Sequence, residues 1–203
     1  MLHIPDPSTV ASPGMQVSAF RVLVVCTGNL YRSPLAECLL RQRLLETRQV
    51  IRLSSAGTRA VPGTPMPTTA ASFLRERGAA PSGTNSRRLT KELVDDSDLV
   101  LGAATEHREA AVRLSPVRAL ARAFTLCEFA RLVRAEDAAG VGDPAARFVS
   151  LVRGAAARRG AASAHPGDDD IDDPLGAPPQ EMRECLALIE DVVDRIAAAV
   201  RTG

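Results

Sequence analysis

Charge of one sign is the first thing this sequence lacks: 25 Lys and Arg against 24 Asp and Glu leave a formal net charge of +1. That balance argues against a nucleic-acid footprint or a polybasic membrane patch, both of which need a concentrated positive field. The arginines are spread along the chain, as on solvated helix faces. Long apolar runs are absent too, none approaching the roughly 20 residues that cross a bilayer. The first 20 residues have neither a basic start nor an apolar stretch, so they read as a flexible leader rather than a signal peptide, with Met15 an alternative start. Cysteine is scarce, at positions 26, 38, 127 and 185, with no Cys-x-x-Cys spacing and no disulfide framework. The three histidines, His3, His107 and His165, stand far apart and form no metal-ligand pattern. The expectation is a protein of the reducing cytoplasm that uses no metal and no cofactor.

What is present suits one domain. The chain has 203 residues, 45% of them hydrophobic, enough for a single core with a loop insertion. Residues 21–26, RVLVVC, form a β-branched run of the kind buried on both faces of a sheet. Gly28-Asn29 breaks it, and Ser33-Pro34 offers an N-cap and a first-turn proline for a helix carrying Ala36, Leu39, Leu40 and Leu44. Further strands are expected at 50–55, 99–101 and 124–126, and helices near 68–77, 90–94 and 106–114. Met182, Leu186, Ile189, Val193, Ile196 and Val200 mark a final amphipathic helix. Strands alternating with helices predict an α/β domain, a central parallel four-stranded sheet with helices on both faces and ligands at the carboxyl ends of the strands. Residues 132–167, rich in Ala, Arg and Gly, read as an insertion with a helix around 145–158; Asp168-Asp169-Asp170 reads as a solvated acidic loop rather than a metal site.

The stretch with chemistry in it is Cys26-Thr27-Gly28-Asn29-Leu30-Tyr31-Arg32-Ser33-Pro34. A cysteine five residues before an arginine says little alone. Between a buried strand and a helix N-terminus it says more, because successive loop N–H groups and the positive end of the helix dipole make a cradle for a dianionic phosphate. The same field stabilises a thiolate, and Arg32 has the planar fork that matches two phosphoryl oxygens. The bland alternative, that Cys26 is an inert strand thiol, leaves Arg32 and the loop glycine without a purpose. Cys38, Cys127 and Cys185 read as small apolar fillers, and His107 as an exposed helix residue.

This loop resembles the CxGNxxRSP signature of the low-molecular-weight protein tyrosine phosphatases. The resemblance continues through Leu35-Ala36-Glu37, residues 54–58, residues 87–90 and Asp173-Pro174, in the family's order. It implies Cys26 as nucleophile, Arg32 as phosphoryl clamp and Asp173, rather than the adjoining Asp172, as general acid and then base. It further implies substrate binding by Thr27, Gly28, Asn29, Leu30, Tyr31 and Ser33, with Ser33 donating to the thiolate, Asn29 holding the loop's backbone and Ser55 bracing it. The implied activity is hydrolysis of phosphotyrosine or aryl phosphates through a phosphocysteine. The implied partners are a phosphotyrosine protein and a cognate tyrosine kinase, with no nucleic acid and no membrane.

The chain departs from the pattern at several points. Tyr31 stands where many relatives have a second cysteine, and Leu175 where an aromatic ring usually follows Asp-Pro. Thr84 and Ala104 stand where a supporting histidine and an acidic residue are expected. Two other functions remain open: an arsenate reductase of the same fold, against which the absence of a cysteine pair in residues 84–104 counts, and a phosphate-binding pseudophosphatase, in which Asp173 would have no task.

Overall fold

The apolar run near the start forms strand β1, Phe20–Cys26, in a computed structural model that describes residues 19–47, 50–81, 85–160 and 169–201. Every residue of β1 except Arg21 is buried. Val22 and Val24 enter one apolar cluster and Leu23 and Val25 the other, so the strand's period of two divides one continuous run between two layers. Strand β2, Ile51–Gly57, pairs parallel with one edge of β1, and β3, Leu99–Gly102, with the other; β4, Ala123–Thr125, lies outside β3. The order β2-β1-β3-β4 changes direction at β1, which opens a crevice beyond the carboxyl ends of β1 and β3. This is the α/β architecture expected, a four-stranded parallel sheet covered by helices.

Among the described residues the helices are α1 (Arg32–Arg43), α2 (Thr68–Glu76), α3 (Lys91–Asp95), α4 (Thr105–Leu114), α5 (Pro116–Ala119), α6 (Leu126–Leu132), α7 (Pro144–Arg158) and α8 (Pro179–Arg201). The larger cluster joins one face of the sheet to α1, α2, α6, α7 and α8; the smaller joins the other face to α3, α4 and α5. Gly78, at φ +69°, ends the α2 segment where the sequence placed its stop. No helix among the described residues is long and apolar enough to cross a membrane.

One strand boundary differs from expectation, and one expected helix is packed more deeply than an insertion would be. The fourth strand stops at Thr125 rather than continuing through Leu126, because Thr125 begins α6. Its hydroxyl accepts from Glu128 N–H (3.0 Å) while its own N–H donates to the Glu128 carboxylate (3.3 Å), a reciprocal cap. The helix expected around residues 145–158 forms as α7, and it packs into the core rather than lying in a loop. Phe148, Leu151 and Ala155 of α7 join the main core, and the Phe148 ring stacks on Phe20 at 4.9 Å. Buried Arg147 donates to the carbonyls of Val200 (2.9 Å), Ala138 (3.0 Å) and Val141 (3.0 Å), tying this segment to the end of α8. Such carbonyls at a helix end lack partners within the helix, and a guanidinium there suits the dipole.

Candidate active site

Strand β1 ends at Cys26 and α1 starts at Arg32, leaving residues 27–31 to make the turn. Asn29 makes it possible. It has φ +55°, alone among the described non-glycine residues in the left-handed region, which asparagine tolerates better than most. Its side chain then holds the loop from three sides: Nδ2 donates to Ser33 Oγ (2.9 Å) and to Ser55 Oγ (2.9 Å), and Oδ1 accepts from Arg87 N–H (3.0 Å). Gly57, paired with Cys26 in the sheet, lets the loop lie against β2. A Cβ at that position would stand 2.5 Å from Thr27 O and 2.8 Å from Asn29 N.

The Cys26 thiol is buried and surrounded by donors. Ser33 Oγ lies 3.0 Å from Sγ, and Asn29 N–H donates to it at 3.2 Å. The helix begins one residue before Ser33, with Tyr31 at the cap position and no side-chain cap bond. The expected capping role of Ser33 is therefore corrected: the turn at Asn29 brings the chain into helical conformation early, and the Ser33 hydroxyl faces the thiol instead. Tyr31 turns toward α2, where its hydroxyl lies 3.1 Å from Thr69 Oγ1. Leu30 is partly exposed.

Arg32 is 4% exposed and links the loop to a segment about 140 positions away. Nη1 donates to Ile171 O (2.9 Å), and Nη2 to Thr27 Oγ1 (3.1 Å) and Asp173 Oδ2 (2.5 Å). Nε is buried with no acceptor among the described residues. A buried charged donor left open is what an entering oxyanion would complete. Of the two adjoining carboxylates, it is Asp173 that reaches the guanidinium, and its side chain is 44% exposed.

The acidic run before it is not simply solvated. Asp169 pairs with Arg131 (2.8 Å), and Asp170 accepts from the N–H (2.7 Å) and hydroxyl (2.8 Å) of Thr105 at the start of α4. Ile171 N–H adds a bond to Ala103 O (2.8 Å). These contacts dock the segment on the strand ends; Asp168 lies outside the described residues, as does Thr84. Among the described residues no group of three or more His, Cys, Asp or Glu could hold a metal ion.

His107 corrects another expectation. It is fully buried rather than exposed, and Nε2 lies 2.9 Å from Thr27 Oγ1, beneath the loop. Burial, and then the nearby Arg32, hold its pKa down to about 4, so the ring is neutral at pH 7. The signal was in the spacing, since His107 and Ala111 lie one turn apart on the buried face of α4. Of the remaining thiols, Cys185 borders the acid segment, with Sγ 3.5 Å from Asp172 O. No disulfide joins the four cysteines, Cys38 and Cys185 lie in the core, and burial pushes the Cys127 and Cys185 thiols up to about 11.

This arrangement can hold an oxyanion near a thiol with a carboxylate at hand, and the chain as a whole is similar to known proteins. The low molecular weight protein-tyrosine-phosphatase Etp of Escherichia coli (strain K12) is 37% identical over 95 residues, 47% of this chain and 62% of that protein. The match thus spans under two thirds of that relative's length. A protein-arginine-phosphatase of Geobacillus stearothermophilus is 29% identical over 183 residues, 90% of this chain and 97% of the relative. The solved structure of the YwlE arginine phosphatase from the same organism superposes with a TM-score of 0.63 at 28% identity, covering 90% of this chain and 94% of that one. The family model for low molecular weight phosphotyrosine protein phosphatases matches residues 21–150. The chain belongs to the low molecular weight phosphotyrosine protein phosphatase family.

Proposed function

We propose that this chain is a protein phosphatase that hydrolyses phosphotyrosine and aryl phosphates through a phosphocysteine. The observation that carries the reading is Arg32: buried, open at Nε, and bonded through one nitrogen to both the loop that begins with Cys26 and the carboxylate of Asp173. The entering phosphoryl dianion competes with Asp173 for the guanidinium, which binds two of its oxygens while loop N–H groups bind the others. Cys26 Sγ attacks phosphorus as the P–O bond to the leaving group breaks, and Asp173 gives its proton to the departing oxygen. Water then attacks the phosphocysteine, losing a proton to Asp173 and releasing phosphate and the thiolate. Ser33 and the Asn29 N–H hold the sulfur's charge, and Ser55 and Asn29 keep the loop in shape. The substrate is a phosphorylated protein, with a cognate tyrosine kinase as functional partner in the cytoplasm.

A second substrate reading has a specific observation behind it: the Geobacillus relative that matches nearly the whole chain is named a protein-arginine-phosphatase. Phosphoarginine would use the same residues, with Asp173 protonating a guanidine nitrogen as the P–N bond breaks. Steady-state release of phosphate from p-nitrophenyl phosphate, a phosphotyrosine peptide and a phosphoarginine peptide decides between them, with arsenate plus thioredoxin as the reductase control. The aryl reading expects the highest kcat/KM for phosphotyrosine. A preference for phosphoarginine would move the substrate class, and no release from any of the three would overturn the phosphatase reading.

A further inference from the structure

His107 has no part in the mechanism just described, yet the fold makes room for it under the loop. Gly102 pairs with Val25 at the end of β3, and a Cβ there would stand 2.7 Å from Arg108 N and 3.1 Å from His107 Cβ. The missing side chain lets the first turn of α4 close on the strand ends, which sets His107 Nε2 2.9 Å from Thr27 Oγ1. That oxygen is also the acceptor for Arg32 Nη2 at 3.1 Å.

The partners assign the proton. A guanidinium only donates, so Thr27 Oγ1 accepts from Arg32. The Glu106 carboxylate only accepts, and its Oε1 lies 3.2 Å from the same His107 Nε2. A proton on Nε2 serves the hydroxyl and faces the nearby carboxylate. A proton on Nδ1 would be a buried N–H with no partner among the described residues, and would turn a lone pair toward a carboxylate. With Nε2–H donating, both lone pairs of Thr27 Oγ1 are occupied, and its rotamer is fixed by two bonds. A histidine kept only for bulk fits poorly here, because its unpaired buried Nδ1 carries a cost that an apolar side chain would not.

The geometry points to His107 as a positioning residue, which donates to Thr27 Oγ1 and so fixes the acceptor that keeps the Arg32 fork aimed after Asp173 lets go. In the proposed cycle Asp173 must leave Nη2 to reach the leaving group. Thr27 Oγ1 and Ile171 O are then the anchors that remain to the guanidinium. A hydroxyl without its second bond could change rotamer, and the fork would lose register with the phosphoryl oxygens. The inference rests on the phosphatase reading for its consequence in rate, but not for its consequence in anion binding.

The test takes the full chain with His107→Leu, His107→Gln, Thr27→Val and the double variant Thr27→Val/His107→Leu. It measures kcat and KM for p-nitrophenyl phosphate and, by calorimetry, the Kd of inorganic phosphate. Leucine fills the space without a donor, glutamine returns an N–H near the Nε2 position, and valine keeps the shape of threonine. His107→Leu and Thr27→Val should each lower kcat by about 10- to 100-fold, the scale of one hydrogen bond to a charged group. The double variant should lose no more than either single one, since both remove the same link. His107→Gln should recover most of the loss, and phosphate affinity should follow the same order. Losses that multiply in the double variant, or a glutamine variant no better than leucine, would overturn the inference. Should His107→Leu fail to fold, Thr27→Val and His107→Gln still decide: wild-type kcat and phosphate affinity in Thr27→Val sink it. If the wild-type chain turns over nothing, the phosphatase reading falls, while phosphate affinity across the variants still separates the outcomes.

Discussion

Residues 26–33 and residues 169–175 meet at Arg32 and are held there by different means. The first stretch buries Cys26, Asn29, Arg32 and Ser33, is built on a turn at Asn29, and is braced by short bonds to Ser33, Ser55 and the Arg87 backbone. The second is largely exposed and is docked by bonds to other elements: Asp169 to Arg131, Asp170 to Thr105, Ile171 to Ala103, Asp173 to Arg32. A cradle for charge gains from rigidity, because dipoles already in place need no rearrangement when charge develops. An acid that first holds the clamp and then meets the leaving group needs freedom, and partial exposure with few bonds provides it. The comparison predicts that lesions in the first stretch abolish chemistry and that lesions in the second grade it.

The largest effect belongs to the cradle. On the proposed mechanism Cys26→Ser lowers kcat by about 10⁶-fold while phosphate still binds, because the loop N–H groups and Arg32 are unchanged. Stopped assays with p-nitrophenyl phosphate and calorimetry with phosphate give both numbers; activity within a hundredfold of wild type would place the nucleophile elsewhere. Next comes the acid. Asp173→Asn should cost about 10²–10⁴ in kcat for poor leaving groups and much less for activated phenols, which depart with little protonation. A plot of log kcat against leaving-group pKa reads this directly. The same slope change in Asp172→Asn, and not in Asp173→Asn, would move the role by one residue.

What the sequence made legible follows the same division. Strand, loop and first helix were readable because the cradle is contiguous: an apolar run, Gly28-Asn29 and an arginine next to a proline-bearing helix start state the geometry within residues 21–34. The last helix was readable from its four-and-three spacing. Only the capping part of the reading of Ser33 failed, because a serine before proline signals a cap; its contact with the Cys26 thiol, implied by the family resemblance, is present. The docking of Asp169 and Asp170 depends on Arg131 and Thr105, 38 and 65 positions away, which no window along the chain contains. The core contribution of α7 was hidden by an Ala- and Arg-rich composition in which Phe148 and Leu151 are sparse. Thr125 and Glu128 did carry a capping signal for α6, three residues apart, that the strand reading passed over.

His107 connects the cradle to pH. The unfolded chain takes up its proton near 6.5 and the folded chain at about 4, so between these values the unfolded state binds more protons. Stability therefore falls as pH drops from about 6.5 to about 4, by about 3 kcal/mol in total, and is flat in this respect above that window. Glu92, Asp95 and Asp137, whose pKa values are lowered by hydrogen bonds, lose their contributions at more acid pH, below their ordinary range near 4. Urea denaturation at pH 7.0, 5.5 and 4.5, about the span of the window, should show wild type losing stability that His107→Gln keeps. Parallel losses in the two proteins would mean that the imidazole reaches solvent.

The smallest effect is also the one that separates the two stretches most cleanly. Asp170 touches neither Arg32 nor the loop, but its carboxylate takes the N–H and the hydroxyl of Thr105, at a helix start that has no side-chain cap of its own. Removing it in Asp170→Ala frees one end of the acid segment and leaves an uncapped N–H on α4. The loss in stability should be about 1 kcal/mol, as for other helix caps. The cradle bonds at Asn29, Ser33 and Ser55 do not depend on Asp170, so phosphate affinity should stay at the wild-type value. Proton delivery should suffer instead, because Asp173 sits three residues further along the loosened chain. A drop in kcat of a few fold, confined to substrates with poor leaving groups and accompanied by unchanged phosphate binding, is the expected pattern. Equal losses for good and poor leaving groups would show that the two stretches move as one body, and that rigidity of the cradle extends to the acid.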